Sequence, residues 1–238
     1  MKKINLNCDV GEGLNNEEKL MPYIQSCNIA CGGHAGDRNT MDHVVKLAIR
    51  HQVNIGAHPS YPDRQNFGRK TMKMSDDNLI KEIRDQVARL RMIVIENKGH
   101  LNHIKPHGAL YNDIAKSKKL TKLFLSAVSN LKSEIQLYLP FNSTASKLAK
   151  QMGFEVVNEV FADRNYNDDF SLVSRSQNNA LLKEPKGVLN HVERMVEHQV
   201  IQTISKSQLH VDGETFCVHS DTENSVDIVK LLHHKFNL

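Results

Sequence analysis

Apolar residues in this chain recur with two periods, and the periods alternate along its length. Seven short runs have strand character: INLNCDV, SCNIACG, VNIGAH, LNHIKPH, IQLYLP, FEVVNEVFA and TFCVHS. They are apolar or β-branched and bounded by turn formers. Helical patterns lie between them. TMDHVVKLAIRH places Met41, Val44, Val45, Ala48 and Ile49 on one helical face. SDDNLIKEIRDQVARLRMIVIENKG predicts a long helix, opened by Ser75 or Asp76 as N-cap and closed at Gly99. A helical region after LNHIKPH is expected to break near 116–119. STASKLAKQMG predicts a helix ending on Gly153, 188–205 a further helix, and NSVDIVKLLHHKF the last. An acidic, helix-like piece joins the first two strands.

Strands that alternate with helices predict a mostly parallel α/β sheet. Two closures are compatible with about seven strands: a (β/α) barrel and an open doubly wound sheet. No linker, repeat or low-complexity segment interrupts the pattern, so 1–238 reads as one domain. The length of 238 residues suits an α/β barrel.

Composition narrows the function classes. The formal charge is +4, aromatics make up 5% of residues, and there is no long basic run, which speaks against a nucleic-acid partner. No apolar run approaches a membrane span, and the apolar start is broken at once by Asn5, Asn7 and Asp9. A cytoplasmic protein is expected. Cys8, Cys27, Cys31 and Cys217 do not resemble a disulfide framework. If 26–30 is a strand, Cys27 and Cys31 lie about 13 Å apart at ~3.3 Å per residue, too far to share a zinc ion. Buried free thiols are expected instead.

The informative signal is positional. Parallel α/β folds build their sites at the C-terminal ends of the strands. The first run exits into Asn7, Asp9 and Glu12, and the second into Cys31, Gly32, Gly33, His34 and Asp37. The third gives His58, Asp63 and Arg64; the fourth gives Lys105 and His107, then Tyr111 and Asn112. The fifth gives Pro140 and Asn142, the sixth Glu159, Asp163 and Arg164, and the last His219 and Asp221. Each of these has an ordinary structural explanation when taken singly. Their shared placement at one end of the architecture argues for a site. Gly32, Gly33 and Gly36 would free backbone N–H groups to approach an anionic or carbonyl oxygen, with His34 and Asp37 reaching the same pocket.

LNCDVGEG, NIACGGHAGD, IGAHPSYPD, FGRK, HIKPHGALYN, FADRNY and VHSD, taken in order, resemble the signature series of the LamB/YcsF family, the family of the 5-oxoprolinase A subunit. The resemblance runs over essentially the whole chain. It implies a barrel like that of the glycoside hydrolase/deacetylase superfamily. It also implies ATP-dependent opening of 5-oxoproline (pyroglutamate) to L-glutamate, with ADP and phosphate as the other products, together with two partner subunits, B and C. Four positions depart from the family pattern. Gly33 stands where a bulky apolar residue is usual, Ser60 replaces the glycine of HPG, Ser220 replaces that of HGD, and Leu14-Asn15 replaces an aromatic-glycine pair.

A five-membered lactam is protected by amide resonance, and phosphorylating its oxygen activates the ring carbon. Such chemistry needs cationic groups, a divalent ion such as Mg²⁺, and a base for water. Lys105 is the candidate for stabilising negative charge, His107 for acid/base work, and Asp9 for a second base or metal ligand. Asp9, His58 and His107 together form a candidate metal site. Arg164 is a candidate clamp for the substrate carboxylate. Asn7, Glu12, Gly32, Gly33, His34, Asp37, Glu159, Asp163, His219 and Asp221 complete the expected binding set. No G-x-x-x-x-G-K-[ST] occurs, so ATP must bind in another geometry or be shared with the partners. Losing Lys105 is expected to abolish turnover and leave the fold intact. Two alternatives remain open: a metal-dependent amide or carbohydrate deacetylase-like hydrolase, and a non-catalytic subunit that binds 5-oxoproline.

Overall fold

The computed structural model describes residues 4–238; residues 1–3 of the expected domain lie outside that range. The strands are β1 (Asn5–Val10), β2 (Ser26–Ala30), β3 (Asn54–His58), β4 (Leu101–Ile104), β5 (Gln136–Pro140), β6 (Glu155–Phe161), β7 (Val200–Gln202), β8 (Gln208–His210) and β9 (Thr215–Val218). Seven of them close a parallel barrel in the order β1-β2-β3-β4-β5-β6-β9. β9 joins the ring to its start by pairing with both β6 and β1. The barrel, and not the open sheet, is therefore the closure adopted.

The helices are α1 (Glu17–Leu20), α2 (Arg38–Arg50), α3 (Asp76–Glu96), α4 (Gly108–Lys116), α5 (Lys118–Ala127), α6 (Thr144–Gln151), α7 (Pro185–Glu197) and α8 (Ser225–Phe236). Their starts follow the capping chemistry of the sequence. Asp37, Ser75, Ser117 and Ser143 each accept from the backbone N–H three residues on, satisfying an orphan donor of the first turn. Ser117 also accounts for the expected break, since it ends α4 and caps α5.

The helix expected over 188–205 is corrected at both ends. α7 starts earlier, with Pro185 in its first turn, and stops at Glu197. Gln199 then adopts a left-handed φ of 55°, and Val200–Gln202 pair antiparallel with Gln208–His210. The β-branched pair Val200-Ile201 suits this hairpin better than a continued helix. The long helix likewise ends at Glu96, with Lys98 at φ 59° before Gly99.

Strand alternation separates two interiors. Leu6, Cys8, Val10, Cys27, Ile29, Ile55, Ala57, Ile104, Leu137 and Leu139 belong to the buried apolar core with the helices. The alternate positions fill the barrel, and many of them are polar. Ser26 Oγ meets Tyr138 Oη at 3.0 Å, and the His103 ring stacks on Tyr138 with centroids 3.9 Å apart. Above them, Asn28 Nδ2 donates to Asn7 Oδ1 and Asp9 Oδ1, each at 2.8 Å. Gly56 is needed where it is, because a Cβ there would sit 2.1 Å from His103 Nε2. Buried polar groups are tolerable only when paired, and this column is hydrogen-bonded from layer to layer.

Candidate active site

The polar column ends in a cavity of about 430 Å³ at the C-terminal mouth of the barrel. Its wall includes Asp9, Glu12, His58, Lys105, His107, Tyr111, Glu159, Phe161 and His219, with Arg69, Arg164 and Arg175 among the other lining residues. Lys105 and His107 reach it for a local reason. Lys105 N donates to Ala57 O and His107 N to Pro59 O, so β4 continues its pairing beyond Ile104. Residues two apart on an extended chain then face the same way.

Lys105 is 2% exposed. Its Nζ lies 2.9 Å from both Asp9 Oδ1 and Glu159 Oε1, 3.3 Å from Asn7 Oδ1 and 3.0 Å from Cys217 Sγ. Burial pulls the ammonium pKa down, but Asp9, Cys217 and Glu159 outweigh it and hold the group well above its ordinary value. Asp9 is the converse: burial pushes it up, while His58 and Lys105 bring it well below the usual carboxylate range. Glu159 also accepts from Tyr111 Oη at 2.6 Å and from Asn7 Nδ2 at 3.1 Å.

The imidazoles define their own tautomers. His58 Nδ1 must donate to the Lys105 carbonyl at 2.7 Å, and His107 Nε2 to the Phe67 carbonyl at 2.9 Å, because carbonyls only accept. The remaining nitrogens, His58 Nε2 and His107 Nδ1, face each other at 2.9 Å. Two neutral rings would set lone pair against lone pair, so the contact calls for one shared cation, either a proton or a metal ion. His34 obeys the same logic. Its Nδ1 donates to Ser60 Oγ, which itself donates to Tyr61 O. Nε2 is thus an acceptor 3.0 Å from Glu12 Oε1. A protonated Glu12 completes that bond, and burial together with the Asp9 charge pushes its carboxyl up to about 7.

Glu12, His34, His58 and His107 each bring a ligand atom within 4.8 Å of the others, and Asp9, Cys217 and His219 form a second such group. The expected trio of Asp9, His58 and His107 is thus divided between two groups, although Asp9 Oδ2 lies 3.5 Å from His58 Nε2. His34 and His107 stack at 3.7 Å and 6°, so one ion cannot lie in the plane of both rings. Glu12, His58 and His107 are the compatible donors, with His34 orienting Glu12. A nitrogen-rich set suits a transition-series ion and does not fit Mg²⁺, which prefers an octahedron of oxygens.

The other expected residues divide into those that support the cavity and those that stand apart from it. Asp163 is buried and accepts from His219 N and Nδ1 and from Thr222 Oγ1, which turns His219 toward the cavity with Nδ1 as donor. The His219 ring stacks on Phe161. Asn7 lies in the column below. Asp37 does not reach the pocket; it is the N-cap of α2. Gly32, Gly33 and Gly36 do not line the cavity either, which corrects the expected anion nest. Their missing Cβ atoms make room for the protein itself: Arg89 Nη1 at Gly32, Ser60 Oγ and Gln86 Oε1 at Gly33, and Ala30 O at Gly36. Arg164 lines the cavity, but its Nε and Nη2 donate to Ala180 O and Val173 O. Asp221 binds Arg69 and Arg175. The Oγ of Ser220, one of the four departures, is buried without a partner.

Sequence reasoning gave no role to Cys217, Arg69 or Arg175. Cys217 was detectable, being two residues before His219 on a strand. Arg175 lies in the irregular stretch before α7, where no periodicity assigns a direction. The remaining cysteines are free and buried, and burial pushes the Cys27 and Cys31 thiols up to about 12.

Fold and cavity together define a seven-stranded parallel (β/α) barrel with a polar cup of carboxylates, imidazoles and a lysine at its C-terminal mouth. Within that class the chain belongs to the LamB/YcsF family, whose profile matches residues 4–237. It is 39% identical over 230 residues to a 5-oxoprolinase A subunit of Haemophilus influenzae, covering 97% of this chain and 94% of that protein. A 5-oxoprolinase A subunit of Bacillus cereus is 35% identical over 242 residues, covering 99% and 96%. The crystal structure of the lactam utilization protein from Thermus thermophilus superposes with a TM-score of 0.91 at 27% identity, covering 98% of this chain and 97% of that one. No helix among the described residues is long and apolar enough to cross a membrane.

Proposed function

We propose that this chain is the A subunit of a cytoplasmic, ATP-dependent 5-oxoprolinase, opening 5-oxo-L-proline to L-glutamate with two partner subunits. The observation that carries this reading is the Lys105 ammonium, held between Asp9 and Glu159 at the floor of a cavity at the barrel mouth. The names of the relatives supply the substrate. ATP, bound with partner help and with Mg²⁺ on its phosphates, would phosphorylate the lactam oxygen, releasing ADP. Water then adds to the activated ring carbon, and the C–N bond breaks as the nitrogen takes a proton. Hydrolysis of the resulting acyl phosphate releases glutamate and phosphate.

The chain's own residues account for the rest. Lys105 faces the oxygen on which negative charge accumulates and stabilises it electrostatically. Asp9, held ionised by His58 and Lys105, accepts a hydrogen bond from the attacking water and orients it. His219, held by Asp163 through Nδ1, presents Nε2 for proton exchange with the ring nitrogen that leaves. A cation held between His58 and His107 would help keep Asp9 ionised, since His58 Nε2 lies 3.5 Å from Asp9 Oδ2.

A second reading, a metal-dependent amide hydrolase without ATP, is favoured by the Glu12, His58 and His107 donor set. One assay tests both: glutamate release from 5-oxoproline by the complex of the three subunits, with and without ATP. Release that requires ATP supports the first reading. Release without ATP that requires a transition-series ion would establish the second.

A further inference from the structure

Arg164 cannot serve a ligand as freely as its position suggests. Its Nε and Nη2 are committed to Ala180 O and Val173 O, so it fastens the segment between β6 and α7. That segment carries Arg175 to the cavity wall, which Arg69 from the FGRK motif also lines. Both guanidinium groups converge on one carboxylate. Arg175 grips Asp221 with two bonds, at 3.0 and 3.3 Å, and Arg69 Nη2 donates to the same Oδ2.

Two cations therefore meet one anion, which leaves one positive charge in excess and several N–H donors unused, since each guanidinium carries five. Both arginines line the cavity, whereas Asp221 does not. Asp221 is partly buried, with 22% of its side chain exposed, and the arginine side chains are 39% and 26% exposed. The floor has the opposite balance. Two carboxylates, Asp9 and Glu159, flank a single lysine there. An anionic ligand group is repelled from the floor and attracted to this part of the wall.

Resting on the reading of the substrate as a lactam acid, we infer that Arg69 and Arg175 form the clamp for its carboxylate. Asp221 is the counter-ion that organises the two guanidinium groups and competes with the ligand for them. The ring carbonyl then points toward Lys105, and the carboxylate stays away from Asp9 and Glu159. Arg164 is a positioning residue for Arg175. A terminal phosphate of ATP presents similar oxygens, so the test must separate the two sources.

The test is calorimetric titration of the full chain, alone and copurified with its partner subunits. The ligands are 5-oxoproline, 2-pyrrolidinone (the same ring without the carboxylate) and ATP. In the wild type, 5-oxoproline should bind at least tenfold more tightly than 2-pyrrolidinone. Arg175→Gln and Arg69→Gln should each weaken 5-oxoproline about 10- to 100-fold, as expected for a lost charged hydrogen bond, and leave 2-pyrrolidinone unchanged. Asp221→Asn, which removes the competing charge, should tighten 5-oxoproline binding. Arg175→Lys, which keeps the charge and loses the fork, should fall between. Melting curves confirm that each variant is folded.

Equal weakening in all three neutralising variants would overturn the clamp and make the cluster a structural staple. Arginine variants that weaken ATP and spare 5-oxoproline would overturn it in favour of a phosphate site. Equal wild-type affinity for the two lactams would overturn the clamp and leave lactam recognition standing. A wild type that binds neither lactam in either form would overturn the clamp together with the proposed function.

Discussion

At the scale of single residues, the site works by enforced pairing. Lys105 is the clearest case, and the structure changes what its loss should do. The sequence suggests a charged residue that could be removed without harm to the fold. In the barrel its ammonium separates two buried carboxylates, Asp9 and Glu159, 2.9 Å from each. Lys105→Ala should lower the rate of glutamate formation by about a hundred- to thousandfold, as loss of one transition-state charge contact does. It should also cost about 3–5 kcal/mol of stability, because a buried carboxylate is left unpaired. Chemical denaturation of the variant alongside its turnover checks both numbers. Glu12 gives a second prediction. Its carboxyl binds a proton more tightly folded than unfolded, so its contribution to stability is fully present below pH about 4.5. It is lost as pH rises through about 7. His34 and His107 work in the opposite sense below their ordinary value near 6.5, since folding depresses both. The comparison with Glu12→Gln isolates Glu12. In metal-free buffer the wild type should lose up to about 3 kcal/mol relative to this variant between pH 4.5 and 8. Parallel stability curves across that range would contradict the assignment of the proton.

At the scale of elements, Gly33 and Ser60 compete for one space. A Cβ on Gly33 would lie 2.4 Å from Ser60 Oγ and 2.4 Å from Gln86 Oε1. Gln86, on α3, clasps Ser60 through both N–H and C=O, and Ser60 Oγ receives His34 Nδ1. The hydroxyl at 60 therefore occupies space that a side chain at 33 would need. Gly33→Ala should destabilise the protein by about 1–3 kcal/mol through overpacking, and adding Ser60→Gly should recover part of the loss. Thermal melts of the two single variants and the double variant measure the coupling; strict additivity would show that the positions are independent. The same loop shows where sequence reasoning stops. Its glycines were legible as a place of close approach, but not what approaches. A glycine admits a ligand, a partner backbone or a neighbour's side chain equally well, and here the neighbours Arg89, Gln86 and Ala30 fill the space. The β7–β8 hairpin is not legible because Val200-Ile201 prolongs the helical pattern of α7 past Gln199, where the chain turns.

At the scale of the whole molecule, the barrel was readable because strand and helix periods alternate cleanly, and because parallel strands put all their exits at one end. That one rule gathered Asp9, Glu12, His58, Lys105, His107, Glu159 and His219 around one cavity. Direction at close range was not readable. Asp37 turned to cap its helix, Asp221 turned to two arginines, and Arg164 turned to backbone carbonyls. The arginines of Asp221 lie 152 and 46 residues away and the carbonyls of Arg164 lie in an irregular segment, whereas the cap at Asp37 is a local choice between helix and pocket. The architecture also bears on assembly. The floor of the cup is crowded with carboxylates, a poor surface for a triphosphate, and the chain contains no glycine-rich phosphate loop ending in lysine. A cavity of about 430 Å³ has room for a small lactam acid and for the end of a second ligand reaching in from the mouth. Under the proposed function, the nucleotide then needs donors from another chain. The purified protein with ATP and Mg²⁺ should release no measurable glutamate from 5-oxoproline, and turnover should appear only when both partner subunits are added. A time course of glutamate by enzymatic detection, with the subunits omitted one at a time, decides the matter. Full turnover by this chain alone would show that the cup binds the triphosphate itself and that its acidic floor is no barrier to it.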